Sequence, residues 1–468
     1  MNRGNVTARN ARPDLRKLLG GIFALSLAAG LFLVGSASAH RQTAPAGGGR
    51  SNPRLTSDFS ASIATHEGDR IRVKTDLGSI SIHTQNSGNS DQVNYRVHLE
   101  TDGSQKDAQQ LLKSFTISAR NTSEGVLLKA EGPERHKAGR LWVTLYLDIP
   151  KNSSVDVSTG GGSIDAAQID GHVSLTTAGG NITAADIGGP AHLDTGGGNI
   201  VAKNVAGELV ANTAGGHITI GSVSGNATLH TGGGHIRVAS VQGTAHFDTG
   251  GGNITLEHSG AELTAETGGG EIEVGEAAGL VRARTSGGGI RVVRMFGPTN
   301  LETSGGSIYL TQVDSAVKAS TSDGGITAWF VSPVKGSGTC DLQSSSGDIV
   351  VHLPRELAVT IDAQVQQGGD HRVIVDPAFP LKVTYDDSSK GVRSVRAEGE
   401  LNGGGELLRL RTVAGNIRFV LSDVSKQTEL YKQQMMQLQQ QMDRVEQDRE
   451  QKLQQKLQPS NQDTGVSR

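Results

Sequence analysis

One cysteine in 468 residues leaves Cys340 without an intrachain partner, so no disulfide framework supports this chain. Aromatic residues make up 3% of the sequence, too few for a large conventional core. The formal net charge is -3, which gives no electrostatic case for nucleic acid as a partner. Catalytic signatures are also missing. The glycine runs lack the Gly-Lys-Ser/Thr ending of a phosphate loop, and no Gly-x-Ser-x-Gly elbow occurs. His66-Glu67 begins a His-Glu-x-x-His motif, but Arg70 stands where the second histidine belongs.

Glycine is abundant, at 64 residues, and it is placed in register. An isoleucine recurs at positions 164, 182, 200, 218, 236, 254, 272, 290, 308 and 326, always 18 residues apart. Five residues before each stands a threonine, from Thr159 to Thr321, and two before each a glycine, from Gly162 to Gly324. A fixed period of this size marks a solenoid and outranks any local pattern. Apolar positions alternate on both sides of the glycine cluster, as at Val173/Leu175 and Ile182/Ala184, which predicts two strands per rung joined by a tight turn. The position five after the isoleucine is expected to add a short third face. The turn glycines are expected to supply positive φ. Stacked rungs would pair in parallel, with isoleucines in one inner ladder and threonines in another, each hydroxyl bonding its neighbour's. The fold class is therefore all-β, a single-chain parallel β-solenoid (a parallel β-helix) with 18-residue rungs, plus a C-terminal α-helix.

Segments fall out along the chain. Residues 1–39 show Arg9, Arg12, Arg16 and Lys17, an apolar run from Leu18 to Val34, and Ala37-Ser38-Ala39, the pattern of a cleaved signal peptide. The alternative is a retained N-terminal membrane anchor, since the run approaches spanning length. Residues 40–57 are a linker. Residues 58–150 hold a first rung around Ile80, with a β block that caps or flanks the N-terminal end of the stack and a short helix at Lys106–Lys113. Residues 151–353 are the regular solenoid, and Cys340 falls on an inward position there. Residues 354–420 are an irregular β region closing on a final rung at Ile417. Residues 421–468 are a Gln-rich helical tail. Within it Tyr431, Met435, Leu438, Met442 and Val445 keep coiled-coil spacing for about two heptads. A self-associating helix over 426–458 and a solitary exposed helix both fit.

The rung Thr-x-x-Gly-x-Ile, the Leu-Asp-Ile-Pro150 run before the repeats and the closing Gly403-to-Ile417 segment resemble the bacterial candidate-adhesin domain family, a domain of unknown function. The resemblance spans about residues 58–420. It implies an exported β-solenoid and carries over no catalytic or binding residues. The long regular array and the C-terminal helix depart from a typical member.

Outward columns are the remaining source of chemistry. Six before the isoleucine stand Asp194, Asn212, His230, Asp248, Glu266, Arg284 and Glu302. Glu266, Arg284 and Glu302 alternate in sign, an exposed charge ladder. His217 and His235, one before their isoleucines, stack, with His230 across the turn. Three histidines on one edge have donor chemistry for zinc or nickel, and a solvated polar edge is the plainer alternative. Calcium β-rolls share the period, but the acidic turn ligands they use are mostly missing here. Asp194, Asp248 and Glu266 are the one column that could serve a glycosidase, which needs two carboxylates at a set separation. The expectation is a non-catalytic exported cell-envelope protein, adhesin-like or structural, with no cofactor. It would act on an envelope protein, a glycan or another copy of itself, in the periplasm, at the outer membrane surface or outside the cell. A carbohydrate-active β-helix enzyme and an envelope-stress or signalling accessory protein are the alternatives.

Overall fold

The computed structural model describes residues 55–422, apart from 86–90, 102–104, 133–140, 332–337, 368–370 and 388–392, together with Glu429, Gln433, Met436, Gln437, Gln440 and Arg444. The expected signal peptide and all five seam residues of the tail lie outside the described residues. The six described tail residues are helical. Among the described residues the fold is all-β and solenoid-like, with one short helix in the body, Gln105–Lys113.

Every regular rung gives one strand to each of two long parallel sheets. Val173–Thr177 and Ala191–Thr195 lie side by side in the first, with Val173 opposite Ala191 and Thr177 opposite Thr195. Ile182–Ala185 and Ile200–Val205 lie side by side in the second, with Ile182 opposite Ile200. The register holds at 18 residues down the array, so identical side chains stack. The inner isoleucines from Ile164 to Ile326 are at most 1% exposed, and Leu175, Leu193, Leu229 and Phe247 of the facing sheet are fully buried. From the Ile200 rung to the Ile308 rung, position five after the isoleucine continues the isoleucine strand instead of forming a third face, while Ile169 and Ile187 lie two residues past strands that end at Ala167 and Ala185. Pairing skips Lys203 and Gly221 and resumes at Asn204–Ser222 and Val205–Val223, so the chain kinks by one residue and points Val223 inward.

Two expectations about the turn need correction. The threonine hydroxyls do not bond one another. Thr195 Oγ1 donates to the carbonyl of Gly180 at 2.7 Å and accepts from the amide of Gly198 at 3.2 Å. The same pair of bonds recurs at Thr213, Thr231, Thr249 and on to Thr321. Each buried hydroxyl thus joins its own turn to the turn of the preceding rung, and every member is satisfied. Nor is positive φ the reason for the glycines. Among the glycines of the described Thr-x-x-Gly-x-Ile turns only Gly78 and Gly162 adopt it, near the start. The repeated glycine is required by close approach, since a Cβ on Gly216 would sit 1.9 Å from the carbonyl oxygen of Gly198. The middle turn glycine, such as Gly215, has open space around it.

Sequence order and spatial order part company at both ends. Arg70–Thr75 and Ser79–Thr84 are flanked on one side by Ser154–Thr159 and Ile164–Ala167. On the other side lie the later Gly125–Glu131 and Leu141–Ile149. At the far end Leu407–Thr412 and Ile417–Leu421, last in sequence, slip in between Cys340–Ser344/Ile349–Leu353 and Val359–Val365/Val373–Val375. Antiparallel strands finish the stack. Gln92–Thr101 and then Leu55–Ala64 extend the isoleucine sheet. Thr116–Thr122 and, at the opposite end, Arg393–Leu401 with Lys382–Asp387 extend the threonine sheet.

Replacing Gly216 with alanine should therefore cost about 3 kcal/mol or more and lower the thermal midpoint, while Gly215→Ala, one residue away, should stay within about 0.5 kcal/mol of wild type. Thr231→Val keeps the β-branched shape but leaves a buried carbonyl and amide unpaired, an expected loss of about 1–3 kcal/mol, with Thr231→Ser recovering most of it. Thermal and denaturant unfolding of the four variants check both statements.

Candidate binding surface

The turn column just before the isoleucines does backbone work at most positions that carry a side-chain acceptor, which Gly289 and Gly325 lack. In a parallel stack the amide at this position points along the rod to the preceding rung and needs an acceptor there. Asn181 Oδ1 takes the amide of Asn199 at 2.8 Å, Asn199 Oδ1 that of His217, and Asn253 Oδ1 that of Glu271. His217 Nδ1 takes the amide of His235 at 3.0 Å, and His235 Nδ1 that of Asn253 at 2.8 Å. An accepting ring nitrogen carries no proton, so both imidazoles are neutral with hydrogen on Nε2. The rings stack at 5.0 Å with planes 6° apart. Burial, then His217 and Arg237, hold His235 below the usual imidazole range.

His230 stands apart, with Nδ1 2.8 Å from Asp248 Oδ2. The three histidines therefore do not converge, and among the described residues no group of three histidine, cysteine or acidic side chains could hold a metal ion. His66 and Glu67 belong to a turn. Asp69 Oδ2 accepts the amide of His66 at 2.8 Å, which, with Thr65, lowers the Asp69 carboxyl. Cys340 is buried, and desolvation pushes its thiol up to about 11.

The carboxylate column is spread along the rod. Asp248 and Glu266 are direct neighbours in register, while Asp194 lies three rungs from Asp248, about 14 Å away. Asp248 already engages His230. In the charge ladder Arg284 meets Glu302 at 3.6 Å. The isoleucine sheet carries a second alternating ladder that the sequence reading missed, with Glu273–Arg291 at 3.8 Å, His258–Glu276 at 3.6 Å and Glu276–Arg294 at 3.5 Å.

That same face also carries most of the exposed aromatic side chains, again unforeseen. Trp142 and Tyr146 point outward from Leu141–Ile149, 40% and 36% exposed, and Arg96 lies 4.8 Å over the Tyr146 ring. Toward the other end Tyr309 is exposed beneath Arg291 at 5.0 Å, and Trp329 stacks on His352 at 4.7 Å. Alternation in Leu-Trp-Val-Thr-Leu-Tyr-Leu-Asp-Ile (141–149) was the available signal, since it puts both aromatics opposite the leucines.

Residues 67–292, just under half of the chain, match the family model described as Toastrack DUF4097. A candidate cell adhesion protein from Clostridium sporogenes aligns in structure over 78% of this chain and 100% of its own, at 8% identity and a TM-score of 0.15. A candidate adhesin from Bacteroides fragilis aligns over 54% of this chain and 96% of its own, at 15% identity and a TM-score of 0.26. No curated protein matches the chain.

The histidine stack predicts acid sensitivity. Because the folded state holds His235 below its unfolded pKa, the unfolded chain binds more protons, and stability falls as pH drops below about 6.5 toward the folded value. His235→Asn, which installs the acceptor already used at Asn199 and Asn253, should flatten the thermal midpoint between about pH 7.5 and 5. Melting curves across that range, against wild type, test it.

Proposed function

We propose that this chain, which carries a Toastrack domain over residues 67–292, is an exported, non-catalytic envelope protein that works as an adhesin-like binding rod. One observation carries the reading. The outer face of the isoleucine sheet displays aromatic and charged side chains toward both of its ends, on strands paired on both sides within the sheet. Side chains on packed strands are held more precisely than those on loops, and exposed tryptophan and tyrosine are typical of contact surfaces. The signal-like residues 1–39 support export to the envelope or beyond. The partner is an envelope protein, a glycan or a second copy of the chain, and the heptad-spaced tail over 426–458 is suited to bring copies together.

Fractionation of the producing cell, mass spectrometry of the mature N-terminus and surface proteolysis of intact cells test the address. A chain starting at His40 and cleaved from outside agrees with it. An uncleaved N-terminus, or protection behind the outer boundary, would replace it with an anchored or periplasmic role. Saturable binding of the purified protein to whole cells tests the activity, and turnover of a polysaccharide would overturn the non-catalytic reading.

A further inference from the structure

At its N-terminal end the isoleucine sheet widens beyond the regular stack, and the widened part is concave. Register places Ser60, Arg96 and Tyr146 in one row across three strands, and Ser62, Asn94 and Asp148 in the next. His83 lies opposite Asp148 on the fourth strand. These outward side chains line an open concavity of about 630 Å³, within the size range of small-ligand sites.

His83 is already engaged, its Nε2 3.0 Å from Ser81 Oγ, but the two charged groups are not neutralised by the fold. Among the described residues neither Arg96 nor Asp148 enters an ion pair, although the two sit on adjacent strands one row apart. Elsewhere on the rod charged neighbours do pair, as at Arg72–Asp156 and Arg396–Asp362. Arg96 instead rests on the Tyr146 ring. The concavity thus offers a donor-only guanidinium, an acceptor-only carboxylate, and an amide and two hydroxyls that do both. A strongly acidic ligand would meet Asp148 and a cationic one Arg96, whereas vicinal hydroxyls match the whole set. Trp142 lies on the same strand and face as Tyr146, four residues away and therefore about 14 Å along it. That is too far for adjacent pyranose rings, so Tyr146 alone supplies the apolar face at the concavity itself.

We propose that this concavity is a binding site for a neutral oligosaccharide, laid along the Leu141–Ile149 strand. Asp148, Asn94 and Arg96 would bond ring hydroxyls, and Tyr146 would pack against a sugar face. The proposal rests on the envelope-binding reading above and names the ligand class of one of its surfaces.

The test is isothermal titration of the purified full chain with neutral gluco-, manno- and galacto-configured hexasaccharides and with an acidic hexagalacturonate, beside whole-cell binding. Asp148→Ala and Tyr146→Ala are compared with Tyr385→Ala, an exposed ring on the other sheet, and all are checked for unchanged melting. A neutral hexasaccharide should bind, with affinity lower by about tenfold or more in both site variants and unchanged in Tyr385→Ala. Preference for the acidic sugar, equal binding by all variants, or no binding to any saccharide would overturn the site. Cell binding that survives in the site variants would leave the envelope reading standing without this surface. Loss of all cell and sugar binding in the wild type would remove both.

Discussion

A buried hydroxyl bridging two turns is the constraint on which the rest of this structure depends. Each threonine reaches back to the glycine carbonyl of the layer beneath it and forward to the amide of its own turn. That geometry works only where no Cβ separates the two turns, so threonine and glycine are required together. The rule operates in space and is indifferent to distance along the chain. Thr159 bonds the carbonyl of Gly78 across 81 residues, and Thr412 bonds that of Gly347 across 65. Ser344 stands in for threonine with the same two bonds, to Gly324 and from Gly347. The interruption before Cys340 falls between strands and spares the turn, so neighbouring layers keep their contact.

This division of labour explains which outward positions are open to function. The turn column is largely committed, because most side chains there accept an amide, with Gly289 and Gly325 as the exceptions. Asparagine, serine, aspartate and neutral histidine all meet that need, as Ser163, Asp348 and His217 show. Variation among them follows acceptor chemistry and does not mark a ligand. The sheet faces carry no such duty. Their exposed ion pairs contribute little stability, well under about 1 kcal/mol each, so residues there can change without loosening the stack.

The core was legible because a strict period reports directly on which side chains share a ladder. Ile164 to Ile326, the threonines and the inner alanines and leucines needed no other information. The order of layers at the ends was not legible. The offsets around Ile80 and Ile417 mark rungs but cannot say on which side a neighbour stacks, and the long excursions leave both open. The histidine edge was misjudged for a related reason. Spacing brought His217 and His235 together correctly, yet only the direction of the next amide shows that Nδ1 is already used. Arg96, Tyr146 and Asp148 escaped notice because they lie outside the period, on strands whose partners are set by tertiary pairing.

The placement of that concavity bears on the proposed attachment of the chain to the envelope. It forms where antiparallel strands widen the sheet, at the end that also receives Leu55, the first described residue. The chain leaves from Ser422 at the other end, bonded to Leu353. About 4.8 Å per layer separates the two ends by a distance on the order of 70 Å. A retained N-terminal anchor would tie the concave end close to the membrane, where a long glycan is hard to thread. On the reading proposed above, cleavage after Ala39 would free that end and leave the C-terminal tail as the segment for association between copies. A rod of this length would then hold the proposed sugar-binding end away from the proposed oligomerising one. The proposed saccharide site thus requires that the N-terminal end be free, as signal cleavage would leave it.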